Sequence, residues 1–315
     1  PLYKYRVHGR DAARLLDRVV TRSVAQMAVG QVLYTPWCDA AGKVMDDGTI
    51  ARLDEHVFRV TSAEPNLRWF ADACAGLDVA IDDISASVAA LALQGPASRA
   101  ILERVCDCDL AQLRYYRITA ARLRGIPVTI SRTGYTGDLG YEIWVKSEFH
   151  RELHERLVAA GKPLGLRHFG GRALNSMRME KSFGSWAREY RPIYGPFEAN
   201  LDRFVDLKKA DFVGRAAALA EKSSGGQRKL ITLDIDAKDC DAIADEPIWL
   251  DGRVVGWVTS GAYGHSVGKS LALGYVDRES AKATTGFEVE LIGDRRAAVR
   301  LESPAFDPSG QRMRA

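Results

Sequence analysis

The sequence predicts an α+β fold: antiparallel sheets with packed helices, followed by a small all-β domain that closes as a β-barrel. Three observations predict it. Strand-like runs between residues 31 and 62 return on one another through a turn at Asp39-Ala-Ala-Gly42, which is an antiparallel meander. Between such runs lie stretches with apolar residues at helical spacing. After Ser223-Ser-Gly-Gly226, the best linker signal, the texture changes to short strands and turns. There Asp251-Gly252, between two apolar runs, is a two-residue hairpin signal. The expected division is residues 1–222, holding two interleaved α+β subdomains, and residues 227–315, the barrel.

Residues 11–20 carry Ala12, Leu15, Leu16, Val19 and Val20 on one helical face, with Asp11 as N-cap. Strands follow at 31–37, 43–53 and 57–62. Asp46 and Asp47 fall inside the second, and neighbouring strand residues face opposite sides, so at most one enters a shared pocket; a solvated bulge is the other reading. Residues 65–74 read as a helix, with Pro65 in its first turn. A strand at 88–93 ends at Gln94-Gly-Pro96, before a helix at 97–105. Tyr115 and Tyr116, set among arginines, offer one ring to a flat ligand and one to the core. Residues 122–130, with Gly125-Ile-Pro127 as a turn, and the stretch that begins at Ser131 form the next strands. The helix at 148–160 is stopped by Gly161 and Pro163. In the next stretch, 172–181, Leu174, Met177 and Met179 are expected to face inward and to leave Asn175 and Arg178 at a cavity edge. Residues 185–194 read as a loop rich in aromatics and arginine, suited either to binding or to ordinary packing.

The composition is that of a globular protein, 46% hydrophobic and 27% charged, with a net charge of +3. That charge is small and scattered, so it points away from nucleic acid. No apolar run has the length of a membrane span and no signal peptide is visible, so a cytoplasmic protein without a membrane partner is expected. Five sparse cysteines fit a reducing compartment. Cys106-Asp-Cys108 lacks the second pair or histidines of a zinc site and reads as two buried, inert thiols, so no metal is expected. Gly268-Lys269-Ser270 imitates a phosphate loop, but Tyr263 stands where that loop needs glycine, and a strand follows instead of a helix.

The stretch with most chemistry is Ser131-Arg-Thr-Gly-Tyr-Thr-Gly-Asp-Leu-Gly-Tyr-Glu-Ile-Trp-Val145. Gly134, Gly137 and Gly140 make a tight loop, and a strand follows at once. In it Tyr141, Ile143 and Val145 face one way, and Glu142 and Trp144 the other. A carboxylate sharing a face with an indole suits a flat ligand with two adjacent N–H donors, such as a pterin. The alternative is an edge strand with Glu142 in solvent.

Five runs in register carry a family resemblance: Leu93-Gln-Gly-Pro96, the stretch from Ser131 to Ile143, Ala173-Leu-Asn-Ser-Met-Arg-Met-Glu180, Asp211-Phe-Val-Gly-Arg215 and Val255-Gly-Trp-Val-Thr-Ser-Gly261. Together they resemble the glycine cleavage T-protein (aminomethyltransferase) superfamily over nearly the whole chain. Within it, the chain is most similar to the tetrahydrofolate-binding portion of dimethylglycine and sarcosine dehydrogenases. The resemblance implies a cloverleaf of domains around a central channel that holds tetrahydrofolate, with residues 1–222 as the folate-binding region. Glu142 matches the glutamate that grips the pterin, and Tyr135 and Tyr115 fall where the family lines the channel. Asn66 aligns with an aspartate held to assist transfer, so charge and basicity are lost there; Glu64 or an early-strand aspartate is the substitute.

The expected function is a tetrahydrofolate-dependent one-carbon transferase, a demethylase that moves a methyl or methylene group from a small N- or S-methyl donor to N5 of tetrahydrofolate. Asn66 and Glu64 stand as catalytic candidates, and Arg178 as a further cofactor contact. Trp37, Trp69, Trp186, Arg188 and Tyr194 are substrate candidates, because aromatic walls suit a cationic donor. Three further readings remain. O-demethylation of a methoxylated aromatic acid would need an acid such as His265, Tyr194 or Tyr116. Glycine cleavage aminomethyl transfer would need a lipoyl carrier. A separate oxidase or dehydrogenase subunit is the other expected partner. A non-catalytic folate-binding protein is the last.

Overall fold

The computed structural model describes residues 2–315. The first body contains β1 (Tyr3–His8), α1 (Ala12–Val19), β2 (Val32–Cys38), β3 (Val44–Asp54), β4 (Val57–Ser62), α2 (Leu67–Asp72) and β5 (Ala80–Asp83). Its antiparallel sheet has the order β2-β3-β4-β1-β5, so the expected meander forms its core. The α1 face of Ala12, Leu15, Leu16 and Val19 packs on this sheet with Phe58, Val60 and Phe70. Asp11 sits at the N-cap position, yet its carboxylate accepts from Asp78 N at 2.9 Å instead of capping the helix. The sequence reading missed β1 and β5. The latter is a short, exposed edge, and only Ile81 marks it as a strand.

The second body contains β6 (Val88–Gln94), α3 (Ser98–Glu103), β7 (Ile118–Leu123), β8 (Ile126–Ser131), β9 (Gly140–Lys146) and α4 (His150–Gly161). The sheet order is β6-β9-β8-β7. Tyr141, Ile143 and Val145 join Leu102, Leu153 and Leu157 in a core beneath the two helices. The strand β9 lies between β6 and β8, which removes the edge-strand reading of Glu142.

After α5 (Gly171–Glu180) and α6 (Arg215–Ser224) comes the barrel of β10 (Arg228–Ile235), β11 (Pro247–Leu250), β12 (Arg253–Gly264), β13 (Lys269–Asp277), β14 (Phe287–Leu291) and β15 (Asp294–Leu301). It closes in the order β10-β13-β12-β11-β14-β15, leaving no free edge. The two serines of the linker signal finish α6. Gly225, at φ +84°, then returns its N–H to Glu221 O, a left-handed helix stop.

Specific polar contacts join the three bodies. Val32 N donates to Tyr116 O and Ile118 N to Gly30 O, both at 2.9 Å, which ties β2 to the start of β7. The helix α5 docks on β12 through Ser176 Oγ to Tyr263 O (2.6 Å) and Asn175 Nδ2 to Gly261 O (3.2 Å). No described helix is long and apolar enough to cross a membrane.

Candidate functional site

The loop before β9 is built around Gln94. Its side-chain amide donates to Thr133 O and Tyr141 O, and its Oε1 accepts from Thr136. A Cβ on Gly134 or Gly140 would lie 2.0 or 2.1 Å from that Oε1, so a side chain at either position would displace the Gln94 amide from these bonds. This packing sets the path of the chain into β9 and the position of Glu142.

Thr133 Oγ1 donates to Glu142 Oε2 at 2.6 Å. Ser131 Oγ lies 2.8 Å from Thr133 Oγ1 and accepts from Trp144 Nε1 at 3.2 Å. Arg59, from β4, lays its guanidinium over the Trp144 ring at 3.9 Å and donates to Thr129 Oγ1. Burial raises the Glu142 pKa, while the Thr133 hydrogen bond and the Arg59 charge act against that rise. Burial likewise lowers the Arg59 pKa to about 9, against the attraction of Glu142. Glu142 nevertheless retains some accessible surface, and no donor among the described residues reaches its Oε1. A partly accessible carboxylate, braced on one oxygen and open on the other, matches the donor edge of a pterin.

A second group lies where the bodies meet. Tyr34 OH, on β2, donates to Asp47 Oδ2 at 2.7 Å. Burial raises the Asp47 pKa to about 7; the Tyr34 hydrogen bond opposes this and the Asp46 charge adds to it. Tyr135 and Tyr190 stand close enough to Asp47 for its charge to act on both. Tyr135 stacks on Phe183 at 5.8 Å between centroids, and its hydroxyl donates to Gly184 O. Tyr34, Asp47, Tyr135 and Tyr190 therefore bring β2, β3, the glycine loop and the chain after α5 to one place. No motif singles out Tyr34 or Tyr190. The alternation of Asp46 and Asp47 was the available signal, and the two carboxylates do part to opposite sides.

Asp46 turns inward and accepts from Glu64 N (2.9 Å), Asp47 N (2.7 Å) and Asn66 Nδ2 (2.7 Å). Burial raises its pKa to about 6 against these hydrogen bonds. Asn66 is buried, and its amide also serves Trp37 Nε1 and Glu64 O. Glu64 is exposed, and its carboxylate accepts from Trp186 Nε1 at 2.9 Å, which brings two candidates together across the interface between bodies. Trp69 is half-buried, with its indole N–H unpartnered. Arg188 is exposed. Tyr115 packs edge-on against Tyr116, and its hydroxyl meets Met313 Sδ at 3.5 Å.

Three candidates need correction. Trp37 is 0% exposed and packs on Phe70, so it offers no wall to a substrate. Tyr194 is buried and stacks on Tyr275 at 3.6 Å. Arg178 is 4% exposed; its Nε bonds Asn175 Oδ1 and its Nη1 bonds Phe183 O and Glu189 Oε2, at 2.9 Å each, so it offers no two-pronged grip to a cofactor and only its Nη2 is left without a partner among the described residues. The buried face of α5 carries Met179, as expected, together with Ser176, Arg178 and Glu180, because it docks on the barrel, while Leu174 and Met177 are only half-buried. His265, the acid considered for an ether substrate, is exposed beyond β12, against Tyr263.

Comparison with known proteins agrees with this architecture. The family model described as the GCVT N-terminal domain matches residues 1–209, and the glycine cleavage T-protein C-terminal barrel domain matches residues 228–307. The chain is 33% identical to mitochondrial dimethylglycine dehydrogenase of Mus musculus, over 96% of this chain but 36% of that protein. It therefore spans about a third of the length of that relative. It is 34% identical to an aminomethyltransferase of Halothermothrix orenii, over 92% of this chain and 82% of the other. The crystal structure of the glycine cleavage system aminomethyltransferase T from Bartonella henselae shares the fold, with a TM-score of 0.88 at 24% identity over 98% of this chain and 84% of that one. The chain belongs to the glycine cleavage T-protein family, whose members bind tetrahydrofolate.

Proposed function

We propose that this chain is a tetrahydrofolate-dependent demethylase that takes a methyl or methylene group from a small N- or S-methyl donor. The observation that carries the reading is the Glu142 carboxylate, held by Thr133 on one oxygen and open on the other. Glu142 would hold the aminopyrimidine edge of the cofactor, and Tyr135 would flank it. Bound tetrahydrofolate supplies N5, the nucleophile that accepts the one-carbon unit.

The protein then has two tasks, alignment and proton removal. An ammonium or sulfonium methyl donor leaves as a neutral amine or thioether, so its leaving atom needs no acid, whereas the amine of an iminium donor would have to take up a proton before it leaves. Positioning supplies much of the rate. Trp69 and Trp186 remain as aromatic walls for the cation. The acceptor nitrogen loses a proton as it is alkylated, and Asp47 is the base we assign to it. Tyr34 fixes Oδ2 of Asp47, and no donor among the described residues occupies Oδ1. A pKa of about 7 poises this carboxyl to take up and release a proton near neutrality. Asn66 has no comparable freedom, because Asp46, Trp37 and Glu64 engage its amide. This favours a demethylase over aminomethyl transfer from a lipoyl carrier. An oxidised, iminium donor would come from a separate dehydrogenase or oxidase.

The test is a depletion assay with N-, S- and O-methyl compounds, with and without tetrahydrofolate. An N- or S-methyl donor should disappear only when the cofactor is present. Consumption of a methoxylated aromatic acid, with the others untouched, would replace this reading by O-demethylation.

A further inference from the structure

Cys106 and Cys108 lie between α3 and the turn at Leu110–Gln112. They are less buried than the sequence suggests. Both are half-buried at the rim of the second body's core, and their Sγ atoms stand 2.8 Å apart. The backbone around them is fixed. Cys106 N donates to Leu102 O at 2.9 Å, and Cys106 pairs with Leu123 as a bridge at the end of β7. Asp107 N donates to Arg122 O (3.1 Å), and Arg122 N returns to Asp107 Oδ1 (2.7 Å). Cys108 N donates to Cys106 Sγ at 3.4 Å. The fold has therefore already met the entropic cost of bringing the two sulfurs together. Among the described residues no other pair of cysteine sulfurs is in contact.

We propose that Cys106 and Cys108 form a redox-active dithiol that closes to an internal disulfide by exchange with a small-molecule disulfide. The thiolate of Cys106 attacks one sulfur of the oxidant RSSR, forming Cys106–S–S–R and releasing RS⁻. The thiolate of Cys108 then attacks Cys106 Sγ, which closes the internal bond and releases the second RS⁻. The two thiol protons pass to the two RS⁻ ions. The balance is protein dithiol plus RSSR giving protein disulfide plus two RSH. Burial, then the neighbouring Cys106, pushes the Cys108 thiol up to about 12, which makes it the poorer nucleophile of the two, so Cys106 attacks first; Cys108 reacts second because its sulfur already lies 2.8 Å from Cys106 Sγ. A bridge across one intervening residue closes too short a loop to add much stability, and tight ring geometry makes it easily reduced. The pair is thus a reversible site rather than a structural staple. It involves neither Glu142 nor Asp47, so it stands or falls apart from the proposed reaction.

The experiment uses the full chain, reduced, freed of reductant, and incubated with oxidised glutathione. Remaining thiols are then alkylated and the intact mass is read. The native protein should lose the mass of two hydrogens, and two of its five cysteines should no longer alkylate. Peptide mapping should place the link between Cys106 and Cys108, and excess reduced glutathione should restore all five thiols. Cys108→Ser should stop at a single glutathione adduct on Cys106. The urea-unfolded chain should close this pair at least about tenfold more slowly, because it has lost the preorganised contact. The proposal is overturned if all thiols stay alkylatable, if adducts form only at Cys74 or Cys240, or if Cys108→Ser still loses two hydrogens.

Discussion

The Thr133 hydroxyl ends a directed chain of hydrogen bonds at Glu142. Trp144 Nε1 can only donate, so Ser131 Oγ accepts from it. Thr133 gives its one proton to Glu142 at 2.6 Å, so Ser131 must donate to Thr133. The indole that shares the strand face with Glu142 thus helps to hold the carboxylate through two hydroxyls. Thr133→Val removes the link next to the carboxylate. Reduced-folate affinity should fall about tenfold, as expected for a charge-assisted hydrogen bond of about 1.5 kcal/mol. The loss should be greater at pH 6 than at pH 8, because the raised pKa of Glu142 rises further without its donor. Calorimetry at the two pH values measures both effects.

Asp47 makes stability depend on pH. Its folded-state pKa of about 7 lies above the ordinary value of 3.8, so folding takes up a proton between those limits. Its contribution is fully present below pH 4 and is lost as pH rises through 7. Asp47→Asn keeps an acceptor for Tyr34 and abolishes this loss. The variant should be more stable than the parent by about 1–2 kcal/mol above pH 7, a value discounted for the accessible part of the carboxyl, and no more stable below pH 4. Turnover should fall about a hundredfold or more if this is the base. Urea unfolding across pH, alongside single-turnover rates, separates the two effects.

Asn66, which the family resemblance aligns with an aspartate, has a structural role of its own. Its Nδ2 is a donor that buried Asp46 needs, at 2.7 Å. Asn66→Asp sets two carboxylates against each other. It should cost about 3 kcal/mol at pH 8 and less at pH 5, where one of the pair holds a proton. Thermal unfolding at the two pH values checks this. A neutral or stabilising result would mean that the amide is not serving Asp46.

Arg178 and Glu189 form a buried ion pair at 2.9 Å, and Thr259 of the barrel donates to the other oxygen of Glu189 at 2.6 Å. Glu189→Gln should destabilise the fold by about 3–5 kcal/mol. Folate affinity per folded molecule should stay within about twofold, since Glu189 is fully buried and Arg178 nearly so. Denaturant titration and calorimetry at low temperature provide the two readouts.

What could be read in advance follows the range of the forces involved. The helix of α1, the meander of β2 to β4 and the facing of β9 are recorded in local periodicity. The strand face and the glycine-bounded loop that place Glu142 were legible because both are local features. Asp47 was half-legible: alternation said that only one carboxylate would enter a pocket, and did not say which. Tyr34 and Tyr190 left no trace, because their roles arise from contacts between bodies distant in sequence. Arg178 and Trp37 misled for the same reason. The polar docking of α5 on the barrel, and the hydrogen bond from Trp37 to Asn66, turn residues that look available into internal struts. Cys106 and Cys108 look inert until the bridge to Leu123 fixes their loop.

The central claim is that the open oxygen of Glu142 grips the cofactor. Isothermal titration of tetrahydrofolate, under anaerobic conditions, into the parent and Glu142→Gln tests it most directly. The glutamine keeps the shape and can accept from Thr133, but it loses the charge and one acceptor. The account predicts tight binding by the parent and affinity weakened at least about tenfold in the variant, at unchanged thermal stability. Equal dissociation constants for the two proteins would contradict it.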